Sequence, residues 1–297
     1  MILVTGGTGF VGPRVIHALR AAGKDVRALV RSPGSQRVTT LKSWGVEVVE
    51  GDATDPASLR RAVEGCETVV HLVAIIQGSP SDFERVMSAA TRDLLTAARD
   101  VGVSRFLLMS ALGVSERTKD LVPYYRAKWE MERTVREAGI EHVIFRPSFI
   151  FGERGGALEQ FKRLARLSPV TPIVGSGERR IQPIWVEDVA EYFVRGLDLD
   201  AATNSTFELG GPDVVTWNDF WTQLKRALGV RRPSLHVPVG LMRLQALVLE
   251  RLPNAPVTRD QLTMLEAGDN VVTDDEAVRT FQLPLIPLAE QLRRAAA

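Results

Sequence analysis

Met1-Ile2-Leu3-Val4-Thr5-Gly6-Gly7-Thr8-Gly9-Phe10-Val11-Gly12 opens the chain, and its reading decides the fold. Ile2 to Thr5 is a short apolar run, the glycines follow, and Val15, Ile16 and Leu19 repeat at helical spacing. This is the pattern of a buried strand turning tightly into a helix. Glycines let backbone N–H groups approach a pyrophosphate closely, and the helix N-terminus adds partial positive charge. The last glycine removes a side chain where helix must press on strand. Gly23 closes the helix and Val26–Val30 reads as a second strand, which is the context a dinucleotide site needs. Thr5, Gly6, Gly7, Thr8, Gly9, Phe10, Val11 and Gly12 are therefore the first candidate cofactor contacts.

Outward from that turn, strand and helix alternate. Helices are predicted over 12–22, 35–44, 56–64, 83–101 and 123–138, with strands over 26–30, 46–50, 68–74, 105–110 and 141–146. Runs such as Thr68-Val69-Val70-His71-Leu72-Val73 read as parallel strands buried on both faces. Right-handed crossovers between them give a doubly wound α/β sheet. Past Phe151-Gly152 the alternation weakens. A strand–helix pair returns over 184–197 and a short strand over 206–209, and helices follow near 216–228 and 239–252. The expected organisation is a nucleotide-binding domain over 1–153 that regains 184–212, with a smaller, partly helical domain over 154–297.

Composition narrows the function classes. The chain has 297 residues, 45% hydrophobic and 25% charged, with a formal net charge of +1. That balance gives no bulk electrostatic case for nucleic acid or an anionic membrane. Cys66 is the single cysteine, so neither an intrachain disulfide nor a cysteine metal cluster is available. His17, His71, His142 and His236 lack metal-ligand spacing and read as packing or surface residues. With no apolar run of spanning length and a strand beginning at Met1, the expectation is a cytoplasmic protein without a transmembrane segment.

In NAD sites a carboxylate about 20 residues past the glycine turn accepts from the ribose 2′-hydroxyl. Here the second strand ends Ala28-Leu29-Val30-Arg31, and no acid occurs between Asp25 and Glu47. A guanidinium suits a 2′-phosphate, so Arg31 predicts NADP(H) over NAD(H). Arg14 and Arg37 are the alternatives for that role. Asp52, followed by Ala53 after the third strand, could accept from an adenine amino group or could cap the next helix. Ala74, at the end of the fourth strand, is a further candidate for the cofactor groove.

Tyr124 and Lys128 stand four apart behind Pro123, on one face of a helix. An ammonium beside a phenol favours the phenolate and lowers a pKa that is ordinarily about 10. Thr5-Gly6-x-x-Gly9-x-x-Gly12 together with Tyr124-x-x-x-Lys128 resembles the short-chain dehydrogenase/reductase superfamily, in its extended or atypical branch. Gly51-Asp52, Arg146-Pro147-Ser148-Phe149-Ile150-Phe151-Gly152 and Ile184-Trp185-Val186-Glu187-Asp188 extend the likeness over about residues 1–215. Ala28-Leu29-Val30-Arg31, Ser110-Ala111-Leu112-Gly113 and Tyr124-Tyr125-Arg126-Ala127-Lys128 are most similar to members related to the NADPH-binding accessory subunit of respiratory complex I. The resemblance implies a Rossmann sheet, a catalytic Asn, Ser, Tyr, Lys tetrad, and Pro147 beside the nicotinamide. Tyr124 and Lys128 match. The serine position falls on Ala111, with Ser110 one residue early, and the helix expected over 83–101 has no asparagine.

Two readings follow from this. One is an NADP(H)-dependent oxidoreductase or epimerase-like enzyme acting on an unknown carbonyl or alcohol through Tyr124, Lys128 and Ser110, in a cleft between domains. The other is a non-catalytic NADPH-binding protein, structural or sensing, docked on a membrane-associated respiratory or quinone-related assembly and thus peripheral to a membrane. Arg179 and Arg180 follow a glycine loop and read as a solvated charged loop. The tail segment 239–252 carries Leu241, Met242, Leu244, Leu247, Val248, Leu249 and Leu252. It is expected to line a core or pocket, with docking on a partner or membrane surface as the alternative.

Overall fold

The computed structural model describes residues 1–249 and 258–296. In chain order the elements begin with β1 (Ile2–Thr5), α1 (Gly12–Ala21), β2 (Val26–Val30), α2 (Gln36–Ser43), β3 (Glu47–Glu50), α3 (Pro56–Val63) and β4 (Thr68–His71). Helix α4 (Pro80–Phe83) then runs through a π-helical turn (Glu84–Ala89) into α5 (Ala90–Asp100), followed by β5 (Arg105–Met109), α6 (Pro123–Glu137) and β6 (Glu141–Pro147). Next come β7 (Ile150–Phe151), α7 (Gly156–Leu167), β8 (Thr171–Val174), β9 (Arg180–Ile181), β10 (Ile184–Trp185), α8 (Val186–Asp198) and β11 (Ser205–Leu209). The remainder is β12 (Val215–Thr216), α9 (Trp217–Ala227), β13 (Ser234–Val237), α10 (Val239–Leu249), α11 (Arg259–Glu266), α12 (Glu276–Phe281) and α13 (Leu288–Ala296).

Internal contacts divide the chain into two units. The first holds Met1–Pro147, Val186–Leu209 and Asp274–Leu283. Its seven strands form one parallel sheet in the order β11-β6-β5-β4-β1-β2-β3. The order reverses between β1 and β4, with Thr5 paired to His71 at their C-terminal ends. In a doubly wound Rossmann sheet, ligands bind in the crevice at such a point. Leu3, Leu59, Val69, Leu94, Phe106 and Met131 belong to the core on one face. Phe281 of α12 stacks its ring against Phe145, Tyr192 and Phe207 at centroid distances of 5.7, 5.2 and 5.0 Å.

The second unit holds Ser148–Trp185 and the described parts of Gly210–Thr273 and Pro284–Ala297. Its core gathers Phe151, Leu158, Ile173, Trp185, Phe220 and Leu292. Phe161 meets Trp217, Phe220 and Trp221 edge-on at 5.5, 5.4 and 5.4 Å, the arrangement aromatic quadrupoles favour.

Several elements differ from the sequence expectation. The strand expected over 68–74 stops at His71. The helix expected over 83–101 begins at Pro80, because Ser79 and Asp82 form a reciprocal capping box there. Helix α7 and strands β8 and β13 lie in stretches where the sequence predicts no element. Residues 250–252 of the tail helix lie outside the described residues. Leu241, Leu244 and Leu247 do not line a core among the described residues: they are 49%, 61% and 46% exposed. Among the described residues no helix is long and apolar enough to cross a membrane.

Candidate functional site

The glycine turn is built for close approach. Gly6 takes φ +78°, a left-handed conformation that glycine alone adopts without strain, and a Cβ there would fall 2.9 Å from the Leu72 carbonyl carbon. A Cβ on Gly12 would fall 2.4 Å from the Gly6 carbonyl oxygen and 2.6 Å from Gly7. The turn is thus folded onto itself with no room for side chains, and Gly9 N–H closes it on Gly6 O at 3.0 Å. No side chain caps the N-terminus of α1, where Val11 stands at the cap position. This cradle fits the pyrophosphate of a dinucleotide. The second glycine-turn threonine, Thr8, offers its carbonyl to Arg37 Nη1 at 2.9 Å.

Around the cradle the three arginine candidates differ. Arg14 is paired with Glu187 of α8 at 3.0 Å, and Arg37 is spent on Thr8. Arg31 is exposed at the end of β2 and makes no hydrogen bond or ion pair among the described residues, though its charge reaches Asp52. Asp52 does not cap α3. Asp55 does, accepting from Ala57 N–H and Ser58 N–H at 3.1 Å each. Asp52 Oδ1 instead accepts from the Thr54 amide at 2.8 Å and hydroxyl at 2.9 Å. The Thr54 amide is the main reason its carboxyl lies below the usual range. Ala53 is half-buried and Ala74 exposed, while Pro147 is buried at the end of β6.

Helix α6 carries Tyr124 and Lys128 one turn apart. Tyr124 is half-buried against Phe83, with ring centroids 6.2 Å apart, and its hydroxyl has no hydrogen-bond partner among the described residues. Burial pushes the phenol above its ordinary pKa and Tyr125 adds to the shift, the reverse of the lowering expected from Lys128, because desolvation of the phenolate dominates here. Lys128 is fully buried, its Nζ donating to Met109 O at 2.6 Å and lying 6.0 Å from the Tyr124 ring centroid. Burial pulls this ammonium down to about 7, against the opposing charge of Glu132.

Ser110 turns elsewhere. Its hydroxyl donates to Glu132 Oε1 at 2.6 Å, one further turn along α6. Glu132 has no solvent exposure. Arg146 grips both of its oxygens, Nε to Oε1 at 2.8 Å and Nη2 to Oε2 at 2.6 Å, and Arg136 donates to Oε2 at 2.7 Å. Burial would raise this carboxyl; the Arg146 bonds and charge, with Ser110 and Arg136, outweigh it and hold the group below its usual range. Lys128 and Glu132 thus clamp consecutive residues, Met109 and Ser110, at the end of β5. Sequence reasoning missed Glu132, although its spacing of four from Lys128 places it on the same helix face. His71, read as packing or surface, is buried and bridges Thr5 and Thr91. In the second unit, Arg180 pairs with Asp269 at 2.8 Å and Arg179 donates to Glu266 O at 3.3 Å.

Comparison with known proteins agrees with this geometry. The family described as NAD(P)H-binding matches residues 6–197. A ceramide reductase of Caulobacter vibrioides is 30% identical over 253 residues, which is 84% of this chain and 77% of that protein. The mitochondrial NADH dehydrogenase (ubiquinone) 1 alpha subcomplex subunit 9 of Mus musculus is 31% identical over 216 residues, 71% of this chain and 56% of that one. In fold, the chain matches the Escherichia coli NADPH-dependent quinone oxidoreductase complexed with NADPH, at TM-score 0.79 and 21% identity over 98% of each chain. With its glycine cradle at the sheet's reversal point and these relatives, the chain belongs to the NAD(P)H-binding family, within the extended branch of the short-chain dehydrogenases/reductases.

Proposed function

We propose that this protein is an NADP(H)-dependent reductase in which Tyr124 gives a proton to a substrate oxygen. The observation that carries this reading is Tyr124 itself, a half-buried phenol whose hydroxyl has no partner among the described residues, one helical turn from the buried Lys128. NAD(P)H supplies hydride when bound, and the chain's own residues do the rest. A phenol is protonated at neutral pH, and burial shifts Tyr124 further that way; this is the form that can give a proton to a carbonyl oxygen as it gains electrons. Lys128 would stabilise the phenolate left after transfer and hold the nicotinamide ribose. Gly6, Gly9 and Gly12 would receive the pyrophosphate and Arg31 the 2′-phosphate; Asp52 Oδ2 is the oxygen left over for the adenine end.

A second reading is favoured by Ser110. With that hydroxyl engaged by Glu132 and the Lys128 ammonium on Met109 O, the nucleotide could be held without turnover. The protein would then be a structural or sensing partner in a respiratory, complex I-like or quinone-related assembly. The mouse relative carries the name of such a subunit.

Calorimetric titration of nucleotide-free protein with NADPH and NADH tests the cofactor assignment. Arg31→Ala is expected to weaken NADPH about 10- to 100-fold and NADH no more than about 2-fold, the difference being charge-assisted bonds to one phosphate. Equal losses for both would remove Arg31 from that role. Tight NADPH binding with no NADPH oxidation against a panel of ketones, aldehydes and quinones would select the second reading.

A further inference from the structure

Strand β4 ends on a histidine that proton transfer at Tyr124 does not use. His71 is buried at 1% exposure, between two threonines. Its Nδ1 lies 2.6 Å from Thr5 Oγ1 and its Nε2 lies 3.0 Å from Thr91 Oγ1. Thr91 already donates its one hydroxyl proton to Met87 O at 2.7 Å. It must therefore accept from Nε2–H, which leaves Nδ1 as the acceptor for the Thr5 hydroxyl. Each proton in the chain Thr5, His71, Thr91, Met87 has one place, and the imidazole is neutral. Burial, helped by the Lys128 charge, lowers its pKa to about 3 and keeps it so.

This chain ties together two segments of unusual backbone. Thr5 is the last residue of β1 and is followed by Gly6 with its positive φ. Met87 lies inside the π-helical turn and Thr91 just beyond it. Four of the seven residues from Gly6 to Gly12 are glycines, so the convergence of the turn's amides depends in part on how the strand leading into it is fixed.

We propose that His71 is a positioning residue for the dinucleotide cradle, locking Thr5 and hence the exit of β1 into Gly6 against the π-helical turn through Thr91. The inference rests on nucleotide binding by the glycine turn and not on chemistry at Tyr124. It also changes the part assigned to Thr5. The proton of that hydroxyl is committed to His71, so Thr5 serves the cofactor through the backbone it anchors.

The test pairs near-isosteric variants of Thr91, a residue remote in sequence from the glycine turn. Thr91→Val removes the acceptor for Nε2–H, and Thr91→Ser keeps it. NADPH titration well below the melting temperature of each variant should show Thr91→Val weakened about 5- to 10-fold and Thr91→Ser within about 2-fold of wild type, the scale of one lost hydrogen bond. His71→Leu should weaken NADPH at least as much as Thr91→Val. In ligand-free protein, exchange of the Gly9 amide should speed in Thr91→Val and not in Thr91→Ser. A Thr91→Val protein that melts earlier yet keeps wild-type NADPH affinity and Gly9 exchange would overturn the inference and leave His71 a packing group. If wild-type protein binds neither nucleotide, the cradle reading itself fails. Gly9 exchange then still decides whether His71 fixes the turn.

Discussion

Tyr124→Phe is expected to lower turnover about 100- to 10,000-fold while leaving NADPH affinity within about 2-fold of wild type, the range for loss of a positioned general acid. The substitution removes one oxygen and no packing. The ring would keep its edge-on contact with Phe83, and the hydroxyl gives up no hydrogen bond among the described residues, so folding should be unaffected. Steady-state and single-turnover NADPH oxidation, with the carbonyl substrate found by screening, are the measurements. The loss should fall on kcat and kcat/KM together, because the proton moves only in the transition state. Unchanged turnover would take the acid role from Tyr124. Few other candidates would then remain nearby, since the Ser110 hydroxyl is held by Glu132 and the Lys128 ammonium by a carbonyl.

The largest stability effect should come from Glu132. Glu132→Ala is expected to cost about 3–5 kcal/mol, the range for removing one partner of a buried ion pair. The substitution leaves the Arg146 guanidinium facing a void and strips Ser110 of its acceptor. Urea unfolding at constant m measures it. Replacing both Glu132 and Arg146 with methionine should recover part of the loss, because the Arg146 charge is no longer stranded, while Arg136 and Ser110 still lose their acceptor. A Glu132→Ala loss below about 1 kcal/mol, the level of an exposed ion pair, would show that water reaches the cluster and that the clamp on Ser110 is weak.

These two residues mark how far the chain could be read in advance. Tyr124 and Lys128 are legible because four residues is one helical turn, a purely local relation. Gly6 and Gly12 are legible because only glycine tolerates that backbone and that proximity. Glu132 and Ser110 are 22 residues apart, and Thr5 and His71 are 66 apart. Such pairs meet only after β4 has taken its place beside β1 and β5 beside β4, and one sequence carries no mark of who meets whom. The Rossmann sheet announces itself through buried strands of four or more residues with helices between them. In the second unit β7, β9, β10 and β12 have two residues each, too short for any periodicity to register.

The return of Asp274–Leu283 to the first unit bears on how the protein is made. Domains commonly fold as the chain emerges, N-terminal first, but this sheet cannot be finished that way. Strand β6 ends at Pro147, its neighbour β11 arrives only at Ser205, and Phe281 joins the rings of Phe145 and Phe207 later still. From 147 to 283 is 136 residues, roughly 7–27 seconds of synthesis at about 5–20 residues per second. For the part of that time before β11 is made, Val143, Ile144 and Phe145 lie on an open sheet edge, a template for pairing with other nascent chains. Messages truncated between these points would therefore yield aggregating products, and chaperone capture should concentrate on ribosomes translating this interval.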